Sequence, residues 1–111
     1  MKQKEPLPFE VAEQIRELGA RIRVARTRRR MDQAELAQAC RIARTTLQRI
    51  EAGRPESGIA AVYTVLWTLG LLPTAAGTAN PDSDEHGKTL EAARRSRRVR
   101  RPRAVSDEND F

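Results

Sequence analysis

The stretch LAQACRIARTTLQRIEAG, from Leu36 to Gly53, decides the fold of this chain. It places two short helical patterns back to back, with barely three residues between them. The second pattern has an apolar side formed by Ile42, Leu47 and Ile50, and Gly53 ends it. Its other positions carry many hydrogen-bond donors, which an ordinary solvated helix does not need: Arg44, Thr45, Thr46, Gln48 and Arg49. The stretch therefore predicts two helices joined by a tight turn, the second with a polar side suited to a partner.

Helical spacing also marks the residues before this stretch. Apolar residues recur at steps of three and four from about residue 9 to 30, which predicts a first helix that Gly19 could interrupt. They are Phe9, Val11, Ile15, Leu18, Ile22 and Ala25. Asp32 and Glu35 have the spacing of a capping box and predict a second helix that runs to about Cys40.

A fourth helix is predicted over IAAVYTVLWTL, with Ser57 as its cap and Gly70 at its end. One of its faces is expected to fill the domain core: Ile59, Val62, Leu66 and Leu69. No segment of the sequence alternates as a strand does, so the pattern predicts an all-α fold.

Basic residues are concentrated in two blocks of the chain. Residues 16–54 contain eleven Lys or Arg against four Asp or Glu, and residues 88–103 contain eight against one. Residues 55–87, between the blocks, contain no Lys or Arg. Two basic blocks in a chain of net charge +6 suit a polyanion, either nucleic acid or an anionic membrane face.

Composition divides the 111 residues into three parts. Residues 1–15 form a leader and the start of the first helix, and residues 16–73 form a domain with one modest aliphatic core. Residues 74–111 form a polar linker and a basic tail, in which residues 88–95 could make a short helix. We expect this basic C-terminal tail to be flexible, because it has almost no apolar surface to bury. Its arginines are expected to add salt-sensitive phosphate contacts: Arg94, Arg95, Arg97, Arg98, Arg100, Arg101 and Arg103.

Neither the single histidine nor the single cysteine supports catalysis. His86 lies beside Asp82, Asp84 and Glu85, but the segment is loop-like and has no second His or Cys at ligand spacing. Cys40 is expected in the core, because no histidine lies near it in sequence. One cysteine allows no internal disulfide, and no apolar run reaches membrane-spanning length. We therefore expect a cytoplasmic protein with no enzyme activity, no cofactor and no metal.

The segment DQAELAQACRIARTTLQRIEAG resembles the Cro/C1-type, or xenobiotic-response-element (XRE), helix-turn-helix family. The similarity covers about Leu18 to Leu72. Eight residues stand where the family pattern expects them: Gln33, Leu36, Ala37, Ile42, Leu47, Ile50, Glu51 and Gly53. The resemblance implies a compact domain of four to five helices, in which the second helix of the motif lies in the DNA major groove.

The same resemblance implies which residues contact DNA. Base edges are expected to be reached by four residues of the third helix: Arg44, Thr45, Gln48 and Arg49. Arg can grip guanine, Gln can grip adenine, and a Thr methyl can meet the thymine methyl. Gln33 and Thr46 match family positions that make phosphate or mixed contacts. From their own placement, Arg54 and the run from Arg28 to Arg30 are expected to neutralise phosphates, and a solvated charge is the alternative for each arginine.

Two positions depart from the family pattern. Arg41 occupies a turn position where glycine is usual, and Ala43 a cap position where Ser or Thr is usual. Positive φ disfavours a non-glycine residue, and loss of a hydroxyl cap costs about 1 kcal/mol, so we expect a slightly remodelled turn. Arg41 could replace the missing phosphate contact with a charge. The family also implies a buried pair of Arg26 and Glu51 that holds the first helix against the third.

The order of leader, domain and charged tail is most similar to the HipB-like antitoxins. In that group an antitoxin dimer represses its own promoter and holds a kinase-like toxin, HipA. The resemblance thus implies a homodimer on a double-stranded DNA operator, associated with the nucleoid, and a kinase-like toxin as a partner. A stand-alone repressor of the phage or restriction-modification type stays open as an alternative. So does an RNA or anionic-surface binder that uses the arginine-rich tail.

A dimer needs an interface, and the fourth helix offers one. Tyr63 and Trp67 are spaced i to i+4 on a face next to the expected core face, with Leu71 and Leu72 just beyond. Aromatic residues on a second apolar face are candidate interface anchors. The alternative is that Tyr63 and Trp67 enlarge the core of the monomer.

Overall fold

The computed structural model describes residues 6–100, whose regular secondary structure is entirely helical, with no strand. The all-α prediction is confirmed. Five α-helices follow one another: α1 Phe9–Arg28, α2 Gln33–Cys40, α3 Arg44–Glu51, α4 Ile59–Thr68 and α5 Glu85–Arg100. Short 3-10 turns cover Leu72–Ala75 and Pro81–Ser83. The chain divides into two compact units, the first ending at Ala75 and the second beginning at Ala76. None of the helices in the described range has the length and apolar composition needed to cross a bilayer.

Helix α1 continues without a break through Gly19, so the predicted interruption is wrong. Gly19 is buried, and a Cβ added there would overlap the carbonyl oxygen of Ile50. The missing side chain therefore serves packing, because it lets the backbone of α1 approach the end of α3 closely.

The capping box predicted at the start of α2 is present. The Glu35 backbone N–H donates to Asp32 Oδ1 at 2.8 Å, and the Asp32 N–H donates to Glu35 Oε1 at 2.8 Å. Two backbone donors that the first turn would leave unpaired are thereby satisfied, which is why the helix begins where the sequence predicts.

Helices α1 to α4 all end in the same way. A residue with positive φ follows each helix, and the next residue donates its N–H to a carbonyl five positions back, which is the Schellman arrangement. The four positive-φ residues are Arg30, Arg41, Gly53 and Gly70. Glycine takes this conformation without penalty, but an arginine there costs about 1 kcal/mol. Two of the four turns therefore carry a strained arginine.

The predicted remodelling of the turn at Arg41 does not occur. Arg41 has φ 60° and ψ 40°, which is the left-handed conformation that glycine would adopt. Ile42, which follows it, donates its N–H to the Ala37 carbonyl at 3.1 Å and packs against the core. The packing of the half-buried Ile42 side chain against the core helps to hold the turn, although Arg41 disfavours it. Ala43 occupies the N-cap position of α3 and provides no side-chain cap, as predicted.

The core of the first unit is aliphatic and joins α1, α2, α3 and α4. It consists of Ile22, Ala25, Leu36, Ala37, Cys40, Leu47, Ile50, Val65, Leu66 and Leu69. The prediction that Cys40 is a core thiol is confirmed, since Cys40 is buried. The first half of α1 extends its apolar stripe past this core, so that Phe9, Val11 and Leu18 are exposed.

The predicted core face of α4 is partly wrong. Ile59 is 73% exposed, whereas Val65, which the pattern did not select, is fully buried. The buried arc is centred on Val65, Leu66 and Leu69, and Ile59 lies at its edge. Ser57 is not the cap of this helix either, because Gly58 occupies the N-cap position. The buried Ser57 hydroxyl has no hydrogen-bond partner among the described residues.

In the second unit, α5 is longer than the predicted segment from 88 to 95. It begins at Glu85, so His86 lies in a helix rather than a loop, and it runs to Arg100. Two ion pairs support this helix. Lys88 pairs with Glu85 (i,i+3) at 3.5 Å, and Arg95 pairs with Glu91 (i,i+4) at 3.2 Å. The arginine-rich residues 96–100, expected to lack stable structure, are thus helical. The expectations for residues 101–111, including Arg101 and Arg103, lie outside the described residues.

Candidate nucleic-acid interface

Helix α3 separates its apolar and polar residues cleanly. Leu47 and Ile50 are buried on one side, against α1 and α2. Thr46 is half-buried at the edge of that side. The four predicted base-reading side chains are all exposed on the opposite side: Arg44, Thr45, Gln48 and Arg49. The structure therefore brings this set together on one solvent-facing surface, as the sequence predicts. Their contacts with DNA stay predictions.

A buried ion pair fixes the orientation of α3. The Arg26 Nε and Nη2 atoms donate to the two carboxylate oxygens of Glu51 at 2.7 and 2.9 Å, and Arg26 Nη1 donates to the Met31 carbonyl at 2.9 Å. Hydrogen bonding to Glu51 raises the pKa of Arg26 further above its ordinary value, and burial offsets only part of this effect. The geometry supports the predicted role of the pair, which is to join the end of α1 to the end of α3.

Gln33 is tied into the same cluster. Its Nε2 donates to Glu51 Oε1 at 3.0 Å, so one amide hydrogen is already used inside the protein. The side chain is half-buried at the start of α2. The predicted contact of Gln33 with phosphate would have to use its remaining amide hydrogen or the backbone.

A cleft of about 570 Å³ lies between α1, the start of α2 and α3. Arg44 and Gln48 form one wall of this cleft, and Arg23 of α1 forms part of another. Sequence reasoning missed Arg23 as a site residue. Its position could have indicated it, because Arg23 precedes Arg26 by three residues and so shares the side of α1 that turns toward α3.

Two further arginines lie in the strained turns that follow α1 and α2. Arg30 and Arg41 are exposed, and each occupies the left-handed position at a helix end. Between them in sequence, the capping carboxylate of Asp32 closes the first turn of α2. Strained backbone positions often occur at functional sites, so the phosphate-contact role of Arg41 stays a prediction with which this geometry agrees.

The remaining predicted phosphate contacts differ in their surroundings. Arg29 is partly engaged, because its Nη1 donates to the Ala25 carbonyl at 2.8 Å. Arg28 is exposed and makes no ion pair within residues 6–100. Arg54 has its Nε 3.5 Å from Glu56 Oε1, but both side chains are more than half exposed. Such a surface pair is weak, so Arg54 can exchange it for a phosphate.

Residues 17–71 match a protein family described as a helix-turn-helix domain. These residues are a helix-turn-helix domain. The match runs from the middle of α1 to the residue after the turn at Gly70, and α2 and α3 are the two helices of the motif. No match was found among curated proteins or among solved structures. Helix-turn-helix domains bind DNA with the second helix of the motif, whose N-terminal residues reach the base edges. In this chain that helix is α3, and its first residue is Arg44.

The helix-turn-helix domain exposes an apolar stripe on α4. The stripe consists of Ile59, Tyr63 and Trp67, which follow one another at steps of four residues and are 73%, 37% and 66% exposed. Trp67 is thus not a core residue, which argues against the alternative that it enlarges the core. Leu71 and Leu72 are half-buried against the core, and their predicted place in an interface is untested.

No group of His, Cys, Asp and Glu side chains within the described range is arranged to hold a metal ion.

Proposed function

We propose that this protein is a transcriptional repressor that binds a specific operator through α3. The presence of a helix-turn-helix domain indicates a DNA-binding transcription regulator. The observation that carries the more specific proposal is the exposure of Arg44, Thr45, Gln48 and Arg49 on one side of α3, with Leu47 and Ile50 fixing the other side. Guanidinium and amide groups match the hydrogen-bond pattern of base edges in the major groove.

The repressor would act as a homodimer. One helix-turn-helix reads only a few base pairs, so useful specificity needs two copies on half-sites about one helical turn apart. The α4 stripe of Ile59, Tyr63 and Trp67 supports this proposal, since it is apolar and carries no charge. Interfaces are enriched in Tyr and Trp, and their cores are depleted of charged residues.

We further propose that the protein is the antitoxin of a HipA/HipB-like operon. This rests on the resemblance in the order of its parts and on a second apolar surface that a DNA-bound dimer leaves without a role. Val11 and Leu18, which lie two turns apart on one side of α1, are 43% and 37% exposed, with half-buried Ile15 between them. A protein partner such as a kinase-like toxin would cover this surface, called here the α1 patch.

Selection of bound sequences from a random duplex pool tests the repressor proposal. The expected result is one recurring sequence with two related half-sites, and the same sequence in the promoter of the protein's own gene. A pool that shows no enriched sequence would contradict specific recognition.

Co-purification with the product of the neighbouring gene tests the antitoxin proposal. If that gene encodes a kinase-like protein, Val11→Ser together with Leu18→Ser should abolish the complex while operator binding is kept. Val24→Ser is the matched control, because it removes a 46% exposed apolar residue of α1 that lies outside the α1 patch and the α4 stripe, and it should leave the toxin complex intact. A neighbouring gene of another kind, or a complex that survives the double change, would favour a stand-alone repressor.

A further inference from the structure

Helix α5 is the basic element that the helix-turn-helix domain does not account for. Four arginines lie within five of its residues, and all are exposed: Arg94, Arg95, Arg97 and Arg98. Arg97 and Arg98 follow Arg94 by three and four residues, so these three arginines lie on the same side of the helix. Leu90, one turn earlier, is 55% exposed on the same side.

The charges on this helix are unequally neutralised. Lys88 pairs with Glu85, and Arg95 pairs with Glu91. Within residues 6–100, no carboxylate lies at ion-pair distance from Arg94 or Arg97. These two guanidinium groups therefore present charge and hydrogen-bond donors that the described part of the protein does not use.

The arrangement does not serve the stability of the helix. Like charges at i,i+3 and i,i+4 repel one another and destabilise an exposed helix, and α5 has no acidic residue after Glu91 to offset them. All four positions are arginine and none is lysine. Arginine offers a planar fork of donors that fits the oxygens of a phosphate, whereas lysine offers a point charge.

We propose that α5 is a second DNA-contact element, which binds phosphates of the duplex through Arg94 and Arg97 without reading sequence. A membrane surface is a poorer fit, because Leu90 is the sole large apolar residue among the described side chains of α5. Duplex DNA is favoured over RNA because the helix-turn-helix domain of the same chain holds the duplex. The second contact is then intramolecular, at a high effective concentration. To this extent the inference rests on the proposed function.

The test compares the full-length protein with Arg94→Gln/Arg97→Gln. Glutamine keeps the helix propensity of arginine, so α5 is retained. Arg16→Gln/Arg21→Gln is the matched control, since it removes two exposed charges of α1 that do not line the cleft beside α3. Affinity is measured for the selected operator and for a scrambled duplex between 50 and 200 mM salt. Losing two phosphate contacts should make the slope of log K against log salt shallower by about 1.8. Between 50 and 200 mM salt, the factor by which the affinity falls should therefore be roughly 12 times smaller for the variant than for the unchanged protein.

The expected result is this shallower slope on both duplexes, with the ratio of operator to scrambled affinity unchanged and the slope of the control unchanged. Equal slopes for the α5 variant and the unchanged protein would overturn the inference and leave the proposed function standing. A change seen only with an RNA duplex of the same sequence would also overturn it. A shallower slope without any preference for the operator in either protein would support α5 as a contact element while contradicting the proposed function.

Discussion

Arg26 and Glu51 form a bidentate ion pair, with the Arg26 Nε and Nη2 atoms at 2.7 and 2.9 Å from the two oxygens of Glu51. Their side chains are only 10% and 4% exposed. The pair joins the C-terminal part of α1 to the last residue of α3, and Gln33 of α2 donates to the same carboxylate. One buried carboxylate thus joins three helices, including α3, which carries the residues proposed to read bases.

Glu51→Ala should strongly destabilise the domain. Removing one partner leaves the Arg26 charge buried without compensation, which costs about 3–5 kcal/mol, whereas replacing a buried pair by apolar residues is often close to neutral. Urea unfolding should therefore show a much larger loss for Glu51→Ala than for Arg26→Met/Glu51→Leu. Equal losses in the two variants would mean that the pair contributes only packing.

Arg41→Gly should change stability and DNA affinity in opposite directions. Glycine relieves the left-handed strain, which raises the free energy of unfolding by about 0.5–1 kcal/mol after the extra entropy of the unfolded chain is subtracted. Loss of the charge should weaken binding to all duplexes and make the salt slope shallower by about 0.9. Arg41→Lys, which keeps both the charge and the strain, is the control. A stabilised variant with unchanged DNA affinity would remove Arg41 from the interface.

The elements near α3 were predictable because local sequence determines them. The capping box at Asp32 and Glu35 needs only a spacing of three residues, and Leu47 and Ile50 follow the helical period. The polar side of α3 was predicted for the same reason. Gly19 could not be interpreted from its own segment, because its role depends on the carbonyl of Ile50, distant in sequence.

Other features depend on packing that the pattern does not contain. Ile59 and Val65 are both apolar and both lie on α4, and which of them is buried depends on how α4 meets α2. The left-handed conformation of Arg41 also depends on packing. Local preference disfavours this conformation, and the packing of Ile42 against the core helps to hold it. Arg23 lines the cleft because it lies one turn before Arg26, on the side of α1 that faces α3 in the folded domain.

Arg23→Ala should weaken binding to every duplex by a similar factor. Arg23 lines the cleft beside Arg44 and Gln48, where its guanidinium can neutralise one phosphate. The salt slope should become shallower by about 0.9, with the order of preferred sequences unchanged. Arg21→Ala removes an exposed charge of the same helix that does not line the cleft, and it should have little effect. If the two variants bind alike at every salt concentration, Arg23 has no role in the interface.

Trp67→Ala should give a folded monomer. The side chain is 66% exposed, so its loss costs the monomer little, whereas a dimer would lose an aromatic anchor. Leu66→Ala is the contrasting variant, since Leu66 is buried next to Trp67 and its truncation should cost about 2–5 kcal/mol of stability. Sedimentation velocity and urea unfolding of both variants separate the two effects. A Trp67→Ala protein that stays dimeric would place the interface elsewhere.

The central claim is that the exposed side of α3 reads bases, and one measurement tests it most directly. It is the ratio of affinities for the selected operator and a scrambled duplex, determined at one salt concentration for Arg44→Ala, Gln48→Ala and Arg54→Ala. We predict that the first two each lose about 1–3 kcal/mol on the operator and relax preference at one base position, while Arg54→Ala weakens both duplexes alike. An unchanged ratio in Arg44→Ala and Gln48→Ala would contradict base recognition by α3.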